Sequence, residues 1–160
     1  AMRAHPLGDW CREVHGVGEK SLARLLGVIG DPANRFDPET GEVVPRTVSQ
    51  LRSYCGYGDA AKQKRKRGVQ SNWNAEARKR LYVIAECLMK QRQSPYRKVY
   101  DETREKYADA DITDGHAHNR ALRAVSKAFL KDLWLEARRV QDSFELQHSD
   151  DPSRSPEVTR

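Results

Sequence analysis

In residues 14–30, VHGVGEKSLARLLGVIG, the apolar side chains Leu22, Leu25, Leu26 and Ile29 recur at spacings of three and four. That is the rhythm of one helical face, and Gly30-Asp31-Pro32 stops it. The same rhythm returns in Ala77, Leu81, Ile84 and Leu88 behind an Asn74 cap. It returns again in Leu122, Val125, Phe129, Leu133 and Ala137, which predicts a long closing helix over 116–142. Pro6 suits the first turn of a short helix over 6–14. Thr47 with Gln50 forms a capping box for a helix over 48–55, closed by Gly56-Tyr57-Gly58. Ser94-Pro95 opens a further helix carrying Tyr96, Val99, Tyr100, Thr103 and Tyr107. The turn-rich DPETGEVVPR over 37–46 reads as a small β-hairpin or an ordered loop, and 109–115 reads as a loop. The pattern predicts an all-α fold, a helical bundle with at most one small hairpin.

At 160 residues the chain is one domain's worth, long enough to bury a core without disulfide or metal support. The helical domain is expected over 1–142, with a tail over 143–160 that has nothing to bury and is expected to be disordered. No apolar run approaches the ~18 residues of a membrane span, and AMRAHPLGDW is neither a signal nor a transit peptide. Ala1 ahead of Met2 reads as a cloning remnant, so the natural chain is expected to extend upstream. Three cysteines, Cys11, Cys55 and Cys87, are widely spaced with no C-x-x-C. They read as reduced thiols of an intracellular, cytoplasmic and nucleoid-associated protein, at least two of them semi-buried, and not as a zinc site or disulfide framework.

The net charge of +6 is polarised. Residues 1–61 hold 7 Lys/Arg against 8 Asp/Glu, residues 62–106 hold 14 against 5, and residues 107–160 hold 8 against 10. All of the surplus lies in the middle, which suggests one positive surface directed at a polyanion. Its densest part is Lys62, Lys64, Arg65, Lys66 and Arg67, inside a loop over 58–73. Arg78, Lys79, Arg80, Arg97 and Lys98 carry the charge onto adjacent helices.

The segment Val14-His15-Gly16-Val17-Gly18, followed by Ser21-Leu22-Ala23-Arg24-Leu25-Leu26, has the order a helix-hairpin-helix unit needs. Gly16 and Gly18 permit dihedrals and an approach that a Cβ would prevent, and Val17 can plug the gap between helices. The helix beginning near Glu19 would point its unpaired N–H groups outward, where they can bind a phosphate oxygen. Lys20 adds charge at that end and Ser21 a hydroxyl, while Glu19 opposes. The unit resembles the helix-hairpin-helix of many DNA repair and recombination proteins, in which recognition runs through backbone phosphates. A plain turn between packed helices is the competing reading.

The order of segments carries a closer resemblance. HGVGEKSLARLLGVIGDPANRF (hairpin over 10–30) is followed by TVSQLRSYCGY, a basic loop, and GVQSNWNAEARKRLYVIAECLMKQRQSPYRKVYDETREK. Over residues 10–107 this is similar to the C-terminal domain of the insertion-sequence family one-ten transposases, RNA-guided relatives of the Piv/MooV DNA invertases. DGHAHNRALRAVSKAFLKDLWLEAR fits the family's closing helix, in the form common among actinobacterial and phage-borne members. The resemblance implies a role in DNA transposition or site-specific recombination, with DNA and a guide RNA as partners. It also implies a RuvC-like domain with acidic metal ligands elsewhere, since no alternation of buried strands with paired acids occurs here. No cofactor is expected in this chain; a divalent metal belongs to that absent domain.

By the same resemblance a nucleophilic serine falls between the "aYaGl" segment and the next helix, usually as Ser-Gly ahead of a basic stretch. Here that interval holds only Ser71, after the basic run and before Asn72. With no His or Lys obviously placed as a base, its hydroxyl reads first as a helix cap or phosphate ligand, and second as a nucleophile. Trp73 reads as a base-stacking ring or as an anchor for the following helix. Tyr96, Tyr100 and Tyr107 read as packing ahead of stacking. His116 and His118, with Asp111 and Asp114, are poorly spaced for one ion, so capping and hydrogen bonding are expected there and no metal. Asp101 and Glu102 should diverge on a helix. The leading expectation is a nucleic-acid-binding domain with no stand-alone activity. It would grip phosphates through Gly16, Gly18, Lys20, Ser21, the 62–67 cluster, Arg78 and Arg80. The alternatives are a serine-dependent recombinase half-site completed by a RuvC-like partner domain, and a protein-interaction module that self-associates through the long helix.

Overall fold

The computed structural model describes residues 2–59, 62–63 and 67–149. Six α-helices and one two-stranded antiparallel sheet follow in order after a 3-10 turn at Met2–Ala4: α1 Gly8–Glu13, α2 Glu19–Ile29, β1 Asn34–Phe36, β2 Val43–Pro45, α3 Val48–Tyr54, α4 Ala75–Met89, α5 Pro95–Lys106 and α6 Asp114–Ser149. The fold is mostly helical, as the periodicity predicts. None of the described helices is long and apolar enough to cross a membrane.

Local signals in the sequence account for the boundaries. Thr47 accepts from the Gln50 N–H at 3.2 Å while the Gln50 side chain accepts from the Thr47 N–H at 2.9 Å, the reciprocal box that starts α3. Asn74 caps α4 through the Ala77 N–H at 2.9 Å, and Ser94 caps α5 ahead of Pro95. Gly30 ends α2 at φ +68°, and Asp31 accepts from the Ala33 N–H at 2.8 Å, turning the chain into β1.

The hairpin lies slightly earlier than expected. Asn34 pairs with Pro45, Arg35 with Val44 and Phe36 with Val43, so the turn-rich 37–42 is the connection and not a strand. It is fastened to the bundle: the Trp134 indole N–H donates to the Arg46 carbonyl at 2.7 Å, and Asn34 donates to Gln141 at 3.1 Å.

α6 is the spine of the bundle, packed against α3, α4 and α5. Its 36 residues span about 54 Å at 1.5 Å per residue. Phe129 sits at the centre of the core, fully buried, with the Trp10 ring centroid at 5.8 Å and Tyr96 edge-on at 6.1 Å. All five apolar positions expected to face inward on α6 are buried, as are the four on α4. α6 continues to Ser149, past the expected end at 142. Ser143 donates to the Arg139 carbonyl at 2.8 Å and Gln141 to Glu145 at 2.9 Å, so the polar turns still close locally. The start of the expected disordered tail is therefore helix, and 150–160 lie outside the described residues.

Candidate nucleic-acid interface

The hairpin between α1 and α2 treats its two glycines differently. Gly16 has φ +100°, and a Cβ there would stand 2.8 Å from Gln91 Cγ, 3.2 Å from the Cys87 carbonyl oxygen and 3.4 Å from Leu88 Cα. Gly16 therefore lies against the C-terminal end of α4, facing the protein. Val17 behind it is buried in the core. Gly18 is exposed, at φ −78° and ψ 148°, with nothing within 4 Å of its Cβ position. The expectation that both glycines are needed against a close neighbour thus holds within the chain for Gly16 alone. The N–H groups of Gly18, Glu19 and Lys20 find no acceptor among the described residues. Lys20 is exposed beside them and Ser21 half-buried. Glu19, the unfavourable charge at this end, accepts from Arg12 at 3.2 Å, and Arg12 also pairs with Asp9.

The basic loop starts from a buried anchor. Gln63, only 9% exposed, accepts from the Gly58 N–H at 2.8 Å and donates to the Ser53 carbonyl at 2.7 Å. One amide thus satisfies both an acceptor and a donor at the end of α3. Lys62 and Arg67 on either side are exposed; Lys64, Arg65 and Lys66 lie outside the described residues. Asn72 returns to donate to the Lys62 carbonyl at 3.4 Å.

Between the loop, the first half of α4 and the first half of α6 lies a cleft of about 710 Å3. Gly56, just ahead of the lining residue Tyr57, has φ +79°, and a Cβ there would meet the Trp73 ring at 2.7 Å. Trp73 anchors the loop exit there, and the Arg78 guanidinium lies over it at 5.1 Å from the ring centroid. Arg78 and Arg123 both approach the buried Tyr57 ring, at 5.8 and 5.5 Å. Arg123 donates to the Gly56 carbonyl at 3.1 Å and the Gly58 carbonyl at 2.7 Å. Burial lowers the Arg123 pKa, and the neighbouring Arg78 charge lowers it further, so two cations are held together by the fold itself. Lys79, Arg120, Tyr82, His116 and Asn119 complete the walls. Arg78, Lys79, Arg120 and Arg123 form no ion pair among the described residues. Arg120 instead stacks on Tyr107 at 4.7 Å.

Ser71 also lines this cleft. It caps no helix, since Asn74 starts α4, and its hydroxyl has no partner among the described residues. Arg80 is committed to Glu76 at 2.6 Å, which removes both the cation expected at the interface and the acid in the cleft wall. Arg97 and Lys98 are likewise paired along α5, with Asp101 at 2.8 Å and Glu102 at 3.8 Å. The two adjacent acids do diverge onto separate partners. His118 meets the Tyr100 hydroxyl at 2.6 Å and Asp114 pairs with Arg104, whereas the side chain that caps the start of α6 is Thr113, accepting from the His116 N–H at 3.3 Å.

No protein-family model matches the chain, and no curated protein or solved structure is significantly similar to it.

The hairpin and the cleft lie toward opposite ends of α4. Gly16 touches Leu88, ten positions after Arg78, about 15 Å along the axis at 1.5 Å per residue. That is about four nucleotide steps at roughly 3.4 Å each. Tyr57, Arg120, Arg123, Tyr82, His116 and Asn119 were not legible as cleft residues in the sequence. The two arginines belong to a segment whose net charge is negative, and nothing in their spacing separates them from solvated helix positions.

Proposed function

We propose that the chain is the nucleic-acid-binding domain of a transposase- or recombinase-like protein acting in DNA transposition or site-specific recombination. The observation that carries this reading is the cleft: Arg78, Lys79, Arg120 and Arg123 converge there without acidic partners, next to the exposed Lys62 and Arg67 of the basic loop. Several unneutralised cations held together are what a phosphate backbone requires, and few other macromolecules match them. The hairpin serves as a helix-hairpin-helix, with Val17 as its plug, Gly16 as its seat on α4, and the Gly18–Lys20 N–H groups facing a phosphate. The neutralisation of Glu19 by Arg12 and of Glu76 by Arg80 supports the same reading, because it removes the nearest repulsive charges. The segment order shared with the family one-ten transposases supplies the biological setting.

The test is fluorescence anisotropy with duplex DNA, single-stranded DNA and structured RNA across a salt series. Each phosphate neutralised contributes about −0.9 to the log–log salt slope on duplex, so the five basic residues of 62–67 account for about −4.5. Neutralising them, or combining Arg78→Gln with Lys79→Gln, should flatten the slope in proportion to the number of charges removed. Absence of binding at low salt to all three probes would remove the proposal.

The Ser71 hydroxyl, lining the cationic cleft and without a partner among the described residues, favours a second reading, in which this domain supplies a serine nucleophile when joined to a RuvC-like partner domain. Its measure is a covalent protein–DNA adduct formed by the full-length protein and lost in Ser71→Ala.

A further inference from the structure

We infer that the cleft between α4 and α6 receives an unpaired nucleotide, its base against aromatic rings and its phosphate among the arginines and lysine; this rests on the nucleic-acid reading above and adds the strand type. The walls combine two chemistries. The cations Arg78, Lys79, Arg120 and Arg123 match phosphate, but so would any basic groove on a duplex. The rings do not: Tyr57, Trp73 and Tyr82 all line the same space, and a duplex offers a cleft only its sugars and phosphates, with base faces hidden in the stack. Aromatic walls find a partner when a base leaves the stack or was never in it.

Size and rigidity agree with this. About 710 Å3 lies inside the range of roughly 300–1,000 Å3 that encloses a small organic ligand, and a nucleotide is of that order. The cleft is also preformed. Gly56 lets Trp73 lie on the backbone, the Gly56 and Gly58 carbonyls fix Arg123, and the Tyr57 hydroxyl donates to the Arg78 carbonyl at 3.3 Å. A site whose cations are already oriented loses little on binding. Asn119 at the rim brings an amide with both donor and acceptor, the group a base edge can use. Tyr82, 39% exposed, is the ring open to a base, while Trp73 and Tyr57 lie beneath Arg78 and Arg123 and hold those cations in place.

The experiment compares four probes on the intact chain: a base-bearing single-stranded oligonucleotide (as DNA and as RNA), the same strand made entirely of abasic residues, a duplex of equal length, and thymidine monophosphate as a competitor. Tyr82→Ala and Arg120→Gln are the variants, both at positions outside the core. The base-bearing strand should bind about 5- to 150-fold tighter than the abasic strand of equal charge, the range stacking supplies per base. Tyr82→Ala should remove that ratio while leaving abasic and duplex binding unchanged. Arg120→Gln should reduce the single-strand salt slope by about 0.7 and leave the ratio in place. Preference for the DNA or the RNA strand identifies the source of the nucleotide. Equal affinity for base-bearing and abasic strands, or a ratio that survives Tyr82→Ala, would overturn the inference while leaving phosphate binding intact. Competition by the monophosphate at micromolar concentration would overturn it in favour of a free-nucleotide site. Failure of every polymer to bind would strike the underlying reading instead.

Discussion

Gly16→Ala and Gly18→Ala look equivalent in a glycine-rich hairpin motif, yet the structure assigns them opposite consequences. At Gly16 the backbone has φ +100°, and placing an L-residue in left-handed space costs about 1–2 kcal/mol. The new methyl would also stand 3.2 Å from the Cys87 carbonyl oxygen and 3.4 Å from Leu88 Cα. These are backbone atoms of α4 and yield only if the helix end moves, an overpacking cost of about 1–3 kcal/mol. Gln91 Cγ, nearer still at 2.8 Å, is flexible and can swing away. The reduced entropy of the unfolded chain returns about 0.4–1 kcal/mol, leaving a net loss of about 1–4.6 kcal/mol. In a domain of this size 1 kcal/mol moves Tm by about 2–4 °C, so thermal unfolding should occur about 2–18 °C lower. At Gly18 the backbone is in the extended region and no atom lies within 4 Å of the Cβ position. The entropy gain there roughly offsets the poorer helix-capping of alanine, and Tm should stay within about 2 °C. On the proposed phosphate-binding reading its effect should appear in binding, because the methyl would stand beside the Gly18–Lys20 N–H groups, which find no acceptor among the described residues. Differential scanning calorimetry of both variants, followed by duplex titration of Gly18→Ala, decides the matter. A Gly16→Ala transition within about 2 °C of the parent would refute the packing argument. A Gly18→Ala transition that falls as far as that of Gly16→Ala would do the same.

Gln63→Leu strands the Gly58 N–H and the Ser53 carbonyl, and should cost about 1–3 kcal/mol, read as faster hydrogen exchange at Gly58 and a lower midpoint in urea. Thr47→Ala removes one half of the α3 capping box and should cost about 1 kcal/mol, measured by the same denaturation. Burial pushes the Cys55 thiol up to about 12 and raises that of Cys11, so at neutral pH both stay protonated in the fold. A thiol reagent should label the partly exposed Cys87 first and the other two only on unfolding; early labelling of Cys55 would contradict its place in the core. Phe129→Ala empties the centre of the bundle and should cost about 3–5 kcal/mol, visible as a loss of cooperative unfolding near physiological temperature.

The helices and their caps were legible because each depends on a few neighbouring residues. Asn74, Ser94 and the Thr47–Gln50 pair act within four positions of themselves, and the apolar positions of α4 and α6 repeat with the helical period. The hairpin starts three residues and ends one residue ahead of the expected 37–46, and it is fastened by distant anchors, Trp134 on the Arg46 carbonyl and Gln141 on Asn34. Neither leaves a local signature. α6 runs past its expected end because the apolar stripe continues beyond Ala137 to Val140, packed against the core, and Gln141 is held by Asn34. The cleft was legible only on one side. Arg78 stood out in the basic segment, but Arg120 and Arg123 are brought to it by the packing of α6 on α4, and the exclusion of Arg80 depends on where Glu76 places its carboxylate.

Segment charge and surface charge therefore diverge in this fold for a physical reason. The middle segment holds the surplus of basic residues, yet Arg80, Arg97 and Lys98 spend theirs on acids four positions along the same helix and Arg104 spends its charge on Asp114 at the start of α6. Exposed pairs of this kind contribute little to stability, but each cancels a charge that a polyanion would otherwise meet. The closing segment has more acids than bases, and its acids lie elsewhere: Asp114 is drawn to Arg104, Asp132 accepts from the Tyr96 hydroxyl at 2.6 Å, and Glu136 and Asp142 pair further along α6. On the first half of α6, Arg120 and Arg123 face Arg78 and Lys79 on α4 and form no ion pair among the described residues. The positive surface is consequently shared between the α4–α6 pair and the exposed Lys62 and Arg67 of the loop. Neutralising Arg120 and Arg123 together should weaken nucleic-acid binding as much as neutralising Arg78 and Lys79, although sequence charge alone assigns the first pair no role. Equal salt slopes for the two double variants would bear this out. A parental slope for Arg120→Gln/Arg123→Gln would instead confine the interface to the loop and α4.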